Sequence, residues 1–233
     1  MILYIIRHGD PVYNPDILTE LGKRQAEALA GRLAVNGLDK VYASPLGRAV
    51  ETAMPTCRLL NLECNIEDWM QEVWDDFAVT LDNGNKEFCF NLQNTLYLSE
   101  KNIDLNHKWY EADCLKTIDG KKAFEKIVRN SDKFLERHGY KRNKGIYEIE
   151  RASNERIAAF CHAGFGIIWL AHLLNIPPHL FWSAFALTHT GITILEFRNN
   201  ENGITAPRCL CLSDISHIYR ENLPLKWCNE IDL

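Results

Sequence analysis

The sequence has no apolar run of the roughly 20 residues that a membrane-spanning helix needs. Its most apolar start, Met1–Ile6, meets Arg7 after six residues, with no basic segment before it and no small-residue cleavage pattern after it. This stretch reads as a first buried strand, and a cytoplasmic location is expected. Blocks of Lys and Arg are also lacking. With a formal net charge of -5, that leaves no electrostatic footprint for nucleic acid or an acidic membrane. The short basic stretch Lys141-Arg142-Asn143-Lys144 reads as a solvated loop. No internal repeat and no low-complexity tract occurs, and 46% hydrophobic with 24% charged residues is ordinary globular composition, which excludes disorder, collagen and coiled coil. Ligand spacing for a metal is missing too: Cys209-x-Cys211 has neither a second pair nor a suitable histidine. The eight cysteines (57, 64, 89, 114, 161, 209, 211 and 228) sit mostly in apolar surroundings and read as buried thiols in a reducing compartment.

What is present is a rhythm of strands and helices. Residues 2–7 are Ile-rich, as in a strand buried on both faces. Thr19 stands as an N-cap before a helix carrying Leu21, Gln25, Ala26, Leu29 and Leu33 at helical spacing, stopped by Asn36-Gly37. Lys40–Ala43 is a short strand. Ser44 is read as the next N-cap with Pro45 at the first helical position, and that helix is expected to end or bend near Pro55. Residues 62–66 form a third strand. From 78 to 148 the chain turns polar, aromatic and helical in pattern, with helices expected over 86–99 and 120–138 and a loop between Gly139 and Gly145. Strand–helix alternation resumes at Arg156–Cys161, with a helix over 164–174 ending before Pro177-Pro178, then strands at 192–197 and 204–212. This order predicts an α/β fold. It is a three-layer α/β/α sandwich with a mostly parallel sheet, one domain over 1–233, and a helical cap insertion at 78–148.

Chemistry gathers where strands end. Arg7-His8-Gly9 lies at the carboxyl end of the first strand, where ligands bind in open α/β sheets. The glycine permits close backbone approach to an anion. Alone the tripeptide is weak, since a surface Arg-His in a loop accounts for it equally well. Three further pieces support it. Arg48 falls in the first turn of a helix, where a cation is unfavourable unless an anion answers it. Phe160-Cys161-His162-Ala163-Gly164 repeats the pattern of a histidine at a strand end followed by a small-residue turn. Gln71-Glu72 follows the third strand at the same sheet edge.

Together these residues resemble the histidine phosphatase superfamily, which includes the phosphoglycerate mutase-like enzymes. Leu18–Ala26 is similar to that family's first helix, and Ser44–Ala53 matches its second motif. Met70-Gln71-Glu72 stands where the family keeps its acid, His162 where it keeps its second histidine, and Asp214–Ile218 resembles a common C-terminal segment. The resemblance implies a metal-independent phosphatase, with no cofactor, acting on a small-molecule phosphate monoester through a phosphohistidine. In that reading His8 is the nucleophile, its other ring nitrogen donating to a backbone carbonyl. Arg7, Arg48 and a protonated His162 hold the equatorial oxygens. Asn14 matches a phosphate-contacting amide. Glu72 protonates the leaving oxygen, which calls for a raised pKa; Glu67, Asp75 and Asp76 are rivals for that role. Gly9, Ala163 and Gly164 are expected near the phosphate, and Tyr13 and His189 at the pocket rim. Pro11 stands where many members have a hydroxyl residue, and Ala163 where Gly is frequent.

Alternatives were weighed on the residues. A phosphoglycerate-type mutase carries a longer first loop than Asn14–Leu18. A non-catalytic phospholigand-binding protein would not need His8, Arg7, Arg48 and His162 all intact. A cysteine hydrolase using Cys161 and His162 fails because neighbours on a strand point to opposite faces. The substrate is not legible, and a homodimer stays open.

Overall fold

The computed structural model describes residues 1–99 and 104–225. Six strands form the central sheet: β1 (Ile2–Arg7), β2 (Lys40–Ala43), β3 (Cys64–Ile66), β4 (Arg156–Cys161), β5 (Ile192–Glu196) and β6 (Arg208–Asp214). Their order across the sheet is β6-β5-β1-β4-β2-β3. β1, β4, β2 and β3 run parallel, and β5 alone opposes its neighbours β1 and β6. The register is fixed by alternation on strands buried on both faces. Leu3 and Ile5 of β1, with Ile157, Ala159 and Cys161 of β4, face one core. Tyr4 and Ile6, with Ala158, Phe160, Val41 and Ala43, face the other.

Helices α1 (Glu20–Ala34) and α2 (Gly47–Leu60) cover the second face through Leu29, Leu33, Ala53 and Cys57. Helices α3 (Gly120–Arg137) and α4 (Ala163–Leu173) cover the first. α3 is amphipathic, burying Ala123, Ile127, Phe134 and Leu135, and its Ser131 accepts the indole N–H of Trp169 at 2.7 Å. α4 is apolar all round because it lies between the sheet and α3, with every residue from Gly164 to Leu173 buried. These layers are the expected α/β/α sandwich. α5 (Pro178–Ala184) and α6 (Ser216–Arg220) complete the labelled helices.

Several local expectations are corrected. α2 begins at Gly47 rather than at Pro45, with Leu46 as its cap residue, and it runs through Pro55 to Leu60. Proline forfeits one hydrogen bond there, but Ala53, Thr56 and Cys57 around it are all buried, and that packing keeps the helix in one piece. The helix expected over 86–99 is instead a strand, Lys86–Phe88, paired antiparallel with Ala78–Thr80, then a single 3-10 turn and a short helix, Asn94–Leu98. Phe88, at the end of that strand, and Phe90, in the turn after it, line the same cleft. The region between Gly139 and Gly145 is no loop: Tyr140–Asn143 pairs with Ile146–Ile149, which pairs in turn with Ile204–Thr205. The strand expected over 204–212 is therefore two strands in two sheets. α5 was not foreseen, although Pro178 at its first turn is a start signal. Among the described residues no helix is long and apolar enough to cross a membrane. Seven cysteines are free thiols; Cys228 lies outside the described residues.

Candidate active site

The carboxyl ends of the parallel strands deliver the site residues side by side. His8 N–H donates to the Cys161 carbonyl at 2.9 Å, Ser44 N–H to the Phe160 carbonyl at 2.9 Å, and Glu67 N–H to the Ala43 carbonyl at 2.9 Å. Each first loop residue thus continues the ladder of its neighbour. The His8 and His162 ring centroids come to lie 5.2 Å apart, and those of His8 and His189 5.6 Å apart.

His8 Nδ1 lies 2.7 Å from the Gly9 carbonyl. A carbonyl only accepts, so Nδ1 carries the proton and Nε2 keeps a lone pair. His8 is buried, and burial, followed by the charge of Arg7, holds it well below the ordinary imidazole range. It is a neutral ring with one nitrogen committed. Gly9 itself faces a different constraint from the one expected: its N–H donates to Thr52 Oγ1, and a Cβ there would meet the Gly22 carbonyl oxygen at 2.8 Å. The glycine is needed for contact between this loop and α1, and its N–H is already used.

Arg7 donates through Nη1 to the Leu187 carbonyl at 2.6 Å and through Nη2 to His189 Nε2 at 2.9 Å. His189 is therefore an acceptor at Nε2, with its Nδ1 3.8 Å from Asp10 Oδ1. Asp10 is fixed in turn by Thr19 Oγ1 at 2.7 Å. His189 is buried rather than at the rim, and it supports Arg7.

Arg48 is buried in the first turn of α2, as expected, but the anion that answers it is part of the chain. Asp16 Oδ1 lies 2.6 Å from Arg48 Nη1, and Asp16 Oδ2 accepts the Gly47 N–H at 2.7 Å. Sequence reasoning missed Asp16, because nothing local in Asn14–Leu18 marks a carboxylate for a helix so far along the chain.

His162 Nε2 lies 2.7 Å from Ser44 Oγ, and its Nδ1 is buried without a partner among the described residues. Leu46 N–H donates to the same hydroxyl, which frees the Ser44 hydrogen for His162. Burial, then Arg48 and Arg7, push His162 well below the ordinary imidazole range. It is thus held neutral rather than protonated; a phosphate dianion would supply a counter-charge. Cys161 beside it is wholly buried in the opposite core, and burial pushes its thiol up, so it is no nucleophile.

Glu72 reaches the amino end of α4. Its Oε1 accepts Val73 N–H and Phe165 N–H, each at 3.0 Å, and its Oε2 accepts Gly164 N–H at 3.4 Å. Negative charge is favourable at a helix start. Of the rivals, Glu67 binds Arg137 at 2.5 Å and accepts the Trp69 indole N–H at 2.8 Å, and Asp76 binds Lys126 at 3.3 Å; neither borders the cleft, whereas Asp75 lines it.

Arg7, His8, Arg48, Glu72, Ala163, Gly164 and His189 all border one open cleft of about 1130 Å³. Tyr13 borders it too, with its ring 5.3 Å from the Arg48 guanidinium carbon. Asn14 is exposed and does not line the cleft. Among the described residues of the 78–148 stretch, only those from Glu87 to Asn94 reach it.

The model of the histidine phosphatase superfamily (branch 1) matches residues 3–80 and 98–209. Phosphoserine phosphatase 1 of Hydrogenobacter thermophilus is 36% identical over 224 residues, covering 90% of this chain and 92% of that protein. Among solved structures, phosphoserine phosphatase from Entamoeba histolytica in complex with 3-phosphoglyceric acid superposes with a TM-score of 0.60 at 21% identity, covering 93% of this chain and 98% of that one. Mycobacterial glucosyl-3-phosphoglycerate phosphatase superposes with a TM-score of 0.61 at 17% identity, covering 91% and 98%. At these identities the two structures speak for the fold.

Proposed function

This chain belongs to the histidine phosphatase superfamily (branch 1), and on that premise we propose that it hydrolyses a small-molecule phosphate monoester through a phosphohistidine at His8. The observation that carries the reading is the His8–Gly9 hydrogen bond. It commits Nδ1 as donor and leaves Nε2 as a neutral nucleophile between two guanidiniums.

Nε2 attacks phosphorus, and the bond from phosphorus to the ester oxygen breaks. Arg7, Arg48 and His162 stabilise the charge on the three equatorial oxygens, which is most of what phosphoryl transfer asks of a protein. Glu72 gives its proton to the departing alkoxide. A water then loses a proton to Glu72 and attacks the phosphohistidine. Inorganic phosphate leaves, and both His8 and Glu72 return to their starting states. The free thiols among the described residues support a reducing, cytoplasmic setting.

Rapid quenching during turnover with a labelled ester tests this. The expected result is an acid-labile, base-stable phosphoryl group that disappears, together with activity, in a folded His8→Ala protein. A His8→Ala protein that turns over at the wild-type rate would overturn it.

A further inference from the structure

The cleft has a second end, and its chemistry differs from that of the phosphate end. Phe88 and Phe90 stack there with centroids 5.2 Å apart. Trp74 meets Phe88 edge-on at 4.5 Å, and Trp182 meets Phe90 at 5.5 Å. Trp74 and Phe185 leave 41% and 42% of their surfaces exposed. Exposed apolar area gathered in a concave site is the mark of a ligand surface.

This wall begins at the reacting atoms. A Cβ on Gly164 would meet Phe90 Cε2 at 2.6 Å and Glu72 Oε1 at 2.8 Å. The Phe90 ring and the Glu72 carboxylate therefore sit side by side over the start of α4. An oxygen that takes a proton from Glu72 departs along the face of Phe90.

Charge at this end has one sign. Among the described residues that line the cleft, the only Lys or Arg are Arg7 and Arg48, both at the phosphate end. Asp75 and Glu87 lie at the aromatic end, and Glu87 is held by Phe88 N–H and Asn91 Nδ2, each at 2.8 Å. A carboxylate on the leaving group would find no cation there and two anions facing it. A two- or three-carbon alcohol would also leave most of about 1130 Å³ filled with water. Finally, Phe88, Phe90, Leu92 and Asn94 all fall within residues 81–97, which the family model does not cover. Trp74, Trp182 and Phe185, on the other side of the wall, fall within the matched residues.

We infer that the leaving group is a flat aromatic or heteroaromatic alcohol without a carboxylate, bound against Trp74, Phe88 and Phe90. The inference rests on the phosphatase reading and names the substrate class of the same site. It separates this chain from an enzyme selective for phosphoserine, whose leaving group is small and zwitterionic, with no aromatic surface for this wall to hold.

The test compares esters of aliphatic alcohols, so that leaving-group reactivity does not decide the outcome. Values of kcat/KM are measured for phenethyl phosphate, adenosine monophosphate, ethyl phosphate and O-phosphoserine. At least one of the two aromatic esters should exceed both small ones by about tenfold or more, since aromatic contacts and apolar burial together supply that much. Trp74→Ala should lower the ratio of that ester to ethyl phosphate by roughly threefold to tenfold. Asp75→Lys, a change at an exposed residue, should raise phosphoglycolate, whose leaving group carries a carboxylate and no ammonium, relative to ethyl phosphate. O-phosphoserine turning over faster than both aromatic esters would overturn the inference while leaving the phosphatase reading intact. Hydrolysis of none of them, with no phosphoryl label on His8, would overturn both.

Discussion

Asp16 and Arg48 are joined at 2.6 Å, and the same carboxylate caps α2 by accepting the Gly47 N–H at 2.7 Å. One side chain from the first loop thus both orients the candidate anion-binding guanidinium and satisfies a helix start that has no side-chain cap of its own. Asp16→Ala should lower stability by about 0.5–2 kcal/mol, the usual cost of losing a cap. It should also weaken vanadate inhibition, because Arg48 loses its brace. Asp16→Asn keeps an acceptor for Gly47 and should recover most of the stability but less of the vanadate affinity. Equal recovery of both, read by chemical denaturation and by inhibition, would show that the Asp16 charge does not matter for Arg48.

That brace marks the limit of what the sequence discloses. His8, Arg48, Glu72 and His162 were legible because each follows a strand of one parallel sheet, and the strand order alone brings such ends together. Asp16, the support of Arg7 by His189, and the pairing of Ser44 with His162 were not. They depend on contacts between segments far apart in the chain, and a lone Asp or Ser in a loop carries no periodicity. The aromatic wall was half legible. The aromatic character of 78–148 is plain in the sequence, but the helix its pattern predicts over 86–99 hides that Phe88 and Phe90 line one cleft. The strand there, Lys86–Phe88, is three residues long, too short to show an alternation. Tyr97 and Trp109, aromatic residues of the same stretch, are buried in the core instead.

Stability should fall on mild acidification. Burial holds His8 and His162 well below the ordinary imidazole value and pushes His217 down to about 4. Unfolding exposes all three to water, where they take up protons near pH 6.5. The unfolded state therefore binds more protons below that pH. The stability that comes from keeping these rings neutral is full above pH 6.5 and is lost as pH falls toward about 4. For His217 alone the loss is on the order of a few kcal/mol. Denaturation midpoints at pH 7.5 and 5 should show a marked drop, smaller in His217→Asn. Equal midpoints at the two pH values would mean that the buried rings are already protonated in the native state.

Activity should survive excess chelator. Charge at the phosphate end is carried by Arg7 and Arg48, and among the described residues no group of three or more His, Cys, Asp or Glu is placed to hold a metal ion. Hydrolysis of para-nitrophenyl phosphate should be unchanged by prolonged dialysis against chelator. Loss of rate that a divalent ion restores would require a metal in the mechanism.

Glu72 offers the sharpest test of the site's division of labour. Its carboxylate is held by three backbone N–H groups, two of them in the first turn of α4, so its position does not depend on substrate. A fixed acid matters only where the departing oxygen needs a proton. Nitrophenolate leaves without one, whereas an alkoxide does not. Glu72→Gln is close to isosteric, and its amide oxygen can still accept from Phe165 N–H, so the fold should persist. The rate with ethyl phosphate should drop about 100-fold or more, the usual scale for losing a general acid, and that with para-nitrophenyl phosphate by less than about tenfold. Vanadate affinity should change little, since no charge that binds the anion is removed. An equal drop on both esters would make Glu72 a structural brace for α4. The proton would then have to come from Asp75, the rival that also lines the cleft. Asp75→Asn should in that case reproduce the leaving-group dependence that Glu72→Gln lacked.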